Sequence, residues 1–168
     1  MPARRPSRTL PLQAASDTQA AKLAAISLLA RRDFARKELH EKLTQQGFDE
    51  ATVESLLGGL AREGILDDGR YAQNYVAYRA GRGQGPLRIA AELRRRGLAP
   101  EPIDAALESG PDWKALARKV CRAKFGLGPP ASWAQRARQA RFLQYRGFSS
   151  DHIRVATGAD PDTGLTEL

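Results

Sequence analysis

Three glycines stand fifty residues apart in this chain, at Gly47, Gly97 and Gly147, and their surroundings repeat with them. Leu43, Leu93 and Leu143 lie four residues before the glycines. Phe48, Leu98 and Phe148 follow directly, and Val53, Ile103 and Ile153 come six residues after. The shared unit is Leu-x3-Gly-apolar-x4-β-branched. Eight residues before each glycine stand Leu39 and Ile89 but Gln139, so the third copy is degenerate. Self-similarity at a fixed period marks a repeat architecture and commits the chain to one local design used three times.

The chemistry of the unit says what that design is. Leu39 and Leu43, like Ile89 and Leu93, are four apart and share one helical face. The glycine sits where a helix end needs a left-handed residue, and the apolar residue after it folds back onto the last turn. Asp49, Pro100 and Ser149 or Ser150 then start another helix. Its inward residues are Val53, Leu56 and Leu57 in the first copy, and Ile103, Ala106 and Leu107 in the second. A further helix precedes each pair, at 17–31, 68–80 and 112–125, each with an Asp at or near its start.

The expectation is an all-α chain: a tandem array of three three-helix repeats, about nine helices, elongated and curved. The repeats span 15–66, 67–110 and 111–157. The basic segment 1–14 and the acidic segment 158–168, rich in Pro, Gly, Asp and Thr, are expected to be disordered. No segment alternates with period two, so no sheet is expected.

Composition excludes several classes. The longest apolar run, LAAISLLA at 23–30, meets Arg31 and Arg32 at once and falls short of the ~18 residues a membrane span needs. Arg4, Arg5 and Arg8 have no hydrophobic block behind them, so no secretory signal is read and a cytoplasmic location is expected. Cys121 is the single cysteine, and His40 and His152 are the only histidines, which argues against a disulfide, a metal site or any cofactor.

Three further features suggest chemistry at first sight. GRGQGP at 81–86 puts glycines before a helix start, a plausible anion nest, but it lacks the Gly-Lys-Ser/Thr ending of a nucleotide loop and no strand precedes it. Pro86 instead takes the first-turn position it favours. Asp67 and Asp68 diverge by roughly 100° as neighbours on a helix, so helix capping suits them better than metal-dependent nuclease chemistry, with Ile65 and Leu66 anchoring the turn. His40 is expected to be exposed, and Cys121 to be a small half-buried core residue. No catalytic constellation assembles, so the protein is not read as an enzyme.

What remains is charge. The net charge is +8, and residues 111–157 alone carry ten Lys and Arg against Asp112 and Asp151. An excess this localised suggests a polyanionic partner or an acidic protein surface. In the helix at 86–96, Ile89, Ala90 and Leu93 face inward and leave Arg88, Glu92, Arg95 and Arg96 outside, with Arg94 between, and Glu92 is placed to pair with Arg96. At 112–125, Lys114, Arg118 and Arg122 form a stripe at i, i+4, i+8, with Lys119 and Lys124 alongside. The helix at 133–146 adds Arg136, Arg138, Arg141 and Arg146, while Trp133, Ala137, Ala140 and Leu143 suit the core. These cations form a candidate partner or DNA surface without an obvious base-reading Asn or Gln pair.

RDFARKELHEKLTQQGF, GILDDGRYAQNYVAYR and GQGPLRIAAELRRRGL, in that order, resemble the bacterial regulatory protein RecX family across about residues 25–157. Ala35 departs from the Ser that often heads the Ser-x-x-Glu capping box there; Glu38 is kept, and the missing cap costs about 1 kcal/mol. The resemblance implies tandem three-helix repeats that modulate the RecA recombinase in DNA repair, recombination and the SOS response. Such proteins bind RecA–single-stranded-DNA filaments, lodge in the filament groove, and inhibit ATP hydrolysis, strand exchange and filament growth without being enzymes. The partners so implied are the RecA filament and single-stranded DNA, with double-stranded DNA as a further candidate, for a monomer away from membranes. The competing reading is a free-standing DNA-binding protein of helix-turn-helix type.

Overall fold

A computed structural model describes residues 11–158, with side chains from residue 17 onward. Residues 1–10 and 159–168, most of the two segments expected to be disordered, lie outside the described residues. Residues 11–14 depart from that expectation: they form the first turn of a helix that starts at Pro11 rather than near Asp17.

Among the described residues the chain is nine helices and no strand. They are α1 (Pro11–Leu29), α2 (Arg36–Gln45), α3 (Glu50–Arg62), α4 (Asp68–Gly81), α5 (Pro86–Arg95), α6 (Pro100–Glu108), α7 (Trp113–Phe125), α8 (Trp133–Arg146) and α9 (Ser150–Thr157). The helix starts use the chemistry read in the sequence. Asp49 accepts from the Thr52 N–H at 3.2 Å, Asp112 from the Ala115 N–H at 3.0 Å, and Ser132 from the Gln135 N–H at 3.2 Å. Pro86 and Pro100 open α5 and α6.

The fifty-residue period is a hydrogen-bond pattern. Gly47, Gly97 and Gly147 have φ of +95°, +84° and +92°. After each glycine the next N–H reaches back to the repeated leucine: Phe48 to the Leu43 carbonyl at 3.3 Å, Leu98 to Leu93 at 3.3 Å, and Phe148 to Leu143 at 3.1 Å. The glycine N–H closes the inner bond to Thr44, Arg94 or Gln144 at 3.0, 2.9 and 3.0 Å. This is a Schellman ending in all three copies, which satisfies carbonyls a bare helix end leaves open. It also reverses the chain, so that Leu43 and Val53, Leu93 and Ile103, and Leu143 and Ile153 are all buried.

The chain divides into two compact units, the first ending at Asp68 and the second beginning at Gly69. The first unit packs α1, α2 and α3 around Leu39, Leu43, Val53, Leu57 and Leu60, with Ala21, Ala25 and Phe34 closing the core. Its α2 shows how the missing Ser is compensated. Ala35 makes no side-chain cap, but the Asp68 carboxylate accepts from the Arg36 N–H at 2.8 Å. Asp68 therefore caps a helix thirty-two residues earlier in the chain, where the sequence suggested a cap for its own neighbourhood. Leu66 is buried beside it as expected, whereas Ile65 is exposed. His40 is not the freely exposed residue expected: it is partly covered and lies 3.4 Å from Glu54.

The second unit contains the second and third repeats, joined backbone to backbone. Gly85 N–H donates to the Arg146 carbonyl at 2.8 Å and Leu87 N–H to the Gly147 carbonyl at 3.0 Å. The free donors at the start of α5 thus meet the free acceptors at the end of α8, and the two helix dipoles oppose favourably. The approach requires glycine on both sides. A Cβ on Gly85 would lie 2.4 Å from the Gly147 backbone, and one on Gly147 would lie 2.3 Å from the Arg88 Cβ. The glycines of GRGQGP therefore serve a close packing contact, and the helix start that resembled an anion nest is filled by protein carbonyls.

The three glycines differ in a measurable way. A Cβ on Gly47 meets nothing within 4 Å, so Gly47→Ala carries only the left-handed strain of about 1–2 kcal/mol. Gly147→Ala adds the collision with Arg88 and is expected to cost clearly more, read as a larger drop in the denaturant midpoint by circular dichroism. Equal drops in the two variants would contradict the close-packing role of Gly147.

Candidate functional site

The arginines of α5 are organised by one carboxylate. Glu92 is 13% exposed; it accepts from the Tyr75 hydroxyl at 2.6 Å, from Arg79 at 2.9 Å and from Arg88 at 3.3 Å. The expected Glu92–Arg96 pair is not what forms. Arg96 turns instead to the Tyr71 hydroxyl at 2.9 Å and lies 4.9 Å from the Tyr75 ring centroid. The reason is tertiary: α4 brings Tyr71, Tyr75 and Arg79 onto the same face, and the buried carboxylate takes the partners already fixed there. Burial alone would push the Glu92 carboxyl upward, but Tyr75, Arg88 and Arg79 outweigh it and hold the group below its ordinary value of 4.5. Arg95 and Arg96 open with Arg79 onto a hollow of about 330 Å³ beside this carboxylate. Arg94 is exposed.

The basic residues of α7 line more than one hollow. Arg118 and Arg122 line a cleft with Gln139 and the last turn of α9, whereas Lys124 faces a different hollow with Arg82 and Arg146. Lys114 and Lys119 are exposed. The inner face carries Ala117 and Cys121, both buried; Cys121 is covered more fully than the half-buried place expected of it. Burial pushes the Cys121 thiol up from 9.0, and its Sγ lies 3.6 Å from Gln139 Oε1. The degenerate column is thereby explained: Gln139 is buried beside a polarizable sulfur rather than packed as an aliphatic.

On α8, Arg136, Arg138 and Arg141 are exposed. Trp133, placed in the core by the sequence, is 71% exposed because it begins the helix, ahead of the turns that contact α7 and α9. Arg138 lies over the Phe125 ring at 5.9 Å and Arg88 over the Tyr145 ring at 5.7 Å. The structure also adds Arg79, Arg82 and Tyr145 to the basic surroundings. Arg146 was already among the cations read in the sequence; the others become visible only when α4, α5 and α8 are brought together.

Among the described residues no group of three or more His, Cys, Asp or Glu is placed to hold a metal ion, and no helix is long and apolar enough to cross a membrane. The fold and this surface define a helical-repeat protein that presents cations to its surroundings.

Comparison with known proteins makes the assignment specific. The RecX first, second and third three-helix domain models match residues 21–58, 67–107 and 112–156. The regulatory protein RecX of Halorhodospira halophila is 48% identical over 148 residues, covering 88% of this chain and 92% of its own. That of Pseudomonas fluorescens is 46% identical over 140 residues, covering 82% and 90%. The crystal structure of RecX from Lactobacillus salivarius superposes with a TM-score of 0.75 at 21% identity, covering 84% of this chain and 95% of that one. A second crystal structure of regulatory protein RecX gives 0.72 at 22% identity, covering 92% and 80%. The chain belongs to the RecX family of regulatory proteins.

Two groups contribute to the acid response of the second unit. His152 Nδ1 accepts from the Ser149 N–H at 3.3 Å while Ser149 Oγ accepts from the His152 N–H at 3.5 Å, a reciprocal cap that needs neutral imidazole. Burial lowers the His152 value from 6.5, outweighing Asp151; Lys114 acts with burial and Asp112 against it. A depressed folded value means the unfolded chain takes up the proton first, so stability is full above about 6.5 and falls as pH drops through the folded value. Glu92 acts with the same sign in a lower window, beginning at about 4.5. Denaturant midpoints measured against pH are expected to decline in both windows. His152→Asn, which keeps an acceptor that does not titrate, should make the upper decline shallower, and Glu92→Gln the lower one.

Proposed function

We propose that this protein binds the RecA–single-stranded-DNA filament and inhibits its ATP hydrolysis, strand exchange and growth. The observation that carries the reading is the exposed charge of the third repeat. Lys114, Arg118, Lys119, Arg122 and Lys124 on α7, with Arg136, Arg138 and Arg141 on α8, are all exposed, and neither helix contains a carboxylate. None of them is ion-paired among the described residues. Unneutralised cations of this density attract DNA phosphates and acidic protein surfaces alike, and a filament offers both. Family membership supports the regulatory half of the reading, and the sequence resemblance supports RecA as the partner. On this reading the protein acts as a cytoplasmic monomer that bridges neighbouring filament subunits. It then blocks the motion and addition that ATP turnover and growth require.

Titration into a RecA–single-stranded-DNA ATPase assay is expected to lower the rate at stoichiometric levels. An unchanged rate would refute the proposal. Reversing the charge of Arg118, Arg122 and Arg138 should weaken inhibition without changing the circular-dichroism melt, because all three side chains are exposed. Tight, sequence-selective DNA binding that survives added salt and needs no RecA would instead favour a free-standing DNA-binding protein.

A further inference from the structure

The exposed face of α8 carries more than charge. Arg138, Arg141 and Tyr145 fall at i, i+3 and i+7, on the side of the helix opposite the buried Leu143. Tyr145 is 79% exposed. Its only described ring contact is a guanidinium, that of Arg88. A large ring left in solvent adds nothing to the core, and α8 already buries Ala140 and Leu143 there.

About 100° round the same helix from Tyr145, Arg146 lines a hollow of about 260 Å³ with Arg82, Lys124 and Phe142. Two of the cations in it are held in place. The Arg146 guanidinium donates to the Arg82 carbonyl at 3.1 Å and lies 5.3 Å from the Phe142 centroid, while Arg82 lies 4.7 Å from that of Tyr78. No carboxylate pairs with Arg82, Lys124 or Arg146 among the described residues. This distinguishes the hollow from the one beside Glu92, where Arg79 is already paired with that carboxylate.

We propose that this face binds a single strand of nucleic acid, with a base stacked on Tyr145 and a phosphate seated among Arg82, Lys124 and Arg146. The inference rests on the filament reading above for its ligand and assigns the binding to residues. Cations alternating with an exposed aromatic ring match a polymer that alternates charged linkages with flat bases, and stacking accepts any base because each has a π-face. An acidic protein segment would use the cations and leave Tyr145 without a role. Arg138 and Arg141 extend the cationic track along the helix, and Arg88 holds the tyrosine ring on its other flank by cation–π attraction.

The test uses the full chain, without RecA, and the fluorescence anisotropy of a labelled oligothymidylate. Tyr145→Ala is expected to weaken binding by about 5- to 150-fold while leaving the salt dependence unchanged, since stacking carries no counterion. Tyr145→Phe should bind like the parent, and an abasic strand should bind the parent as weakly as thymidylate binds Tyr145→Ala. The Arg82→Ala, Lys124→Ala double variant should lower the slope of log affinity against log salt by about 0.7 for each phosphate no longer neutralised. Thermal melts check that each variant is folded; these side chains are exposed or line an open hollow, so their melts should match the parent.

Parent-like binding by Tyr145→Ala, or no binding by the parent, would overturn the inference. It would also be overturned if the double variant failed to inhibit RecA but kept its oligonucleotide affinity and slope, because the hollow would then face a protein and the filament reading would stand. Conversely, oligonucleotide binding that follows the expected pattern in a protein that leaves RecA turnover unchanged would sink the filament reading and keep this one.

Discussion

The left-handed glycine that ends α2, α5 and α8 is the constraint on which the rest depends. Each glycine lets the following N–H reach back five residues to a leucine carbonyl, and the leucine side chain is itself buried. Helix termination, chain reversal and core formation are therefore one event in each repeat. A residue with a side chain at that φ strains the turn, and without the turn the β-branched residue six positions on would lose its place against the leucine. The same geometry then does a second job at Gly147. Its lack of a side chain lets α5 begin directly on the end of α8, so the second and third repeats are joined by backbone hydrogen bonds.

Charge in the second unit is sorted by burial. Arg79 and Arg88 meet at Glu92, a largely covered carboxylate further held by a tyrosine hydroxyl, and Arg96 is engaged by Tyr71 and Tyr75. Removing that carboxylate would leave arginines partly desolvated without a counter-charge, which makes the network structural in its first role. Among the described residues the cations of α7 and α8 have no carboxylate partner, and neither helix contains one. A positive surface kept free in this way has a cost in self-repulsion and gains long-range attraction for anionic partners. The division separates arginines that hold α4 to α5 from arginines left available for a partner.

Much of this was legible in one dimension because it is local. The glycine period, the Asp49, Asp112 and Ser149 caps, the prolines at helix starts, and the inward faces of α2, α5 and α6 follow from spacings of three, four or six residues. What was missed involves residues far apart in sequence. Asp68 caps α2 across thirty-two residues, a substitute for Ser at Ala35 that no local window contains. Glu92 prefers Arg79 to the nearby Arg96 because α4 supplies a fixed hydroxyl and guanidinium. Trp133 reads as core by its type and spacing, yet its place at the first turn of α8 leaves it in water. Gln139 reads as a broken column and is instead a buried polar neighbour of Cys121.

The sequence by itself determined the repeat, its three-helix composition, the helix ends and the location of the basic excess, because each is set by backbone conformation or by neighbours within a turn or two. Only the tertiary structure decided which cations are neutralised and which stay free, that Arg118 and Arg122 line one hollow and Lys124 another, and that Tyr145 stands in solvent with an arginine over it. The physical reason is reach. A glycine's φ and a cap's hydrogen bond are settled within a few residues, whereas a charge is settled by whatever the fold brings within about 4 Å.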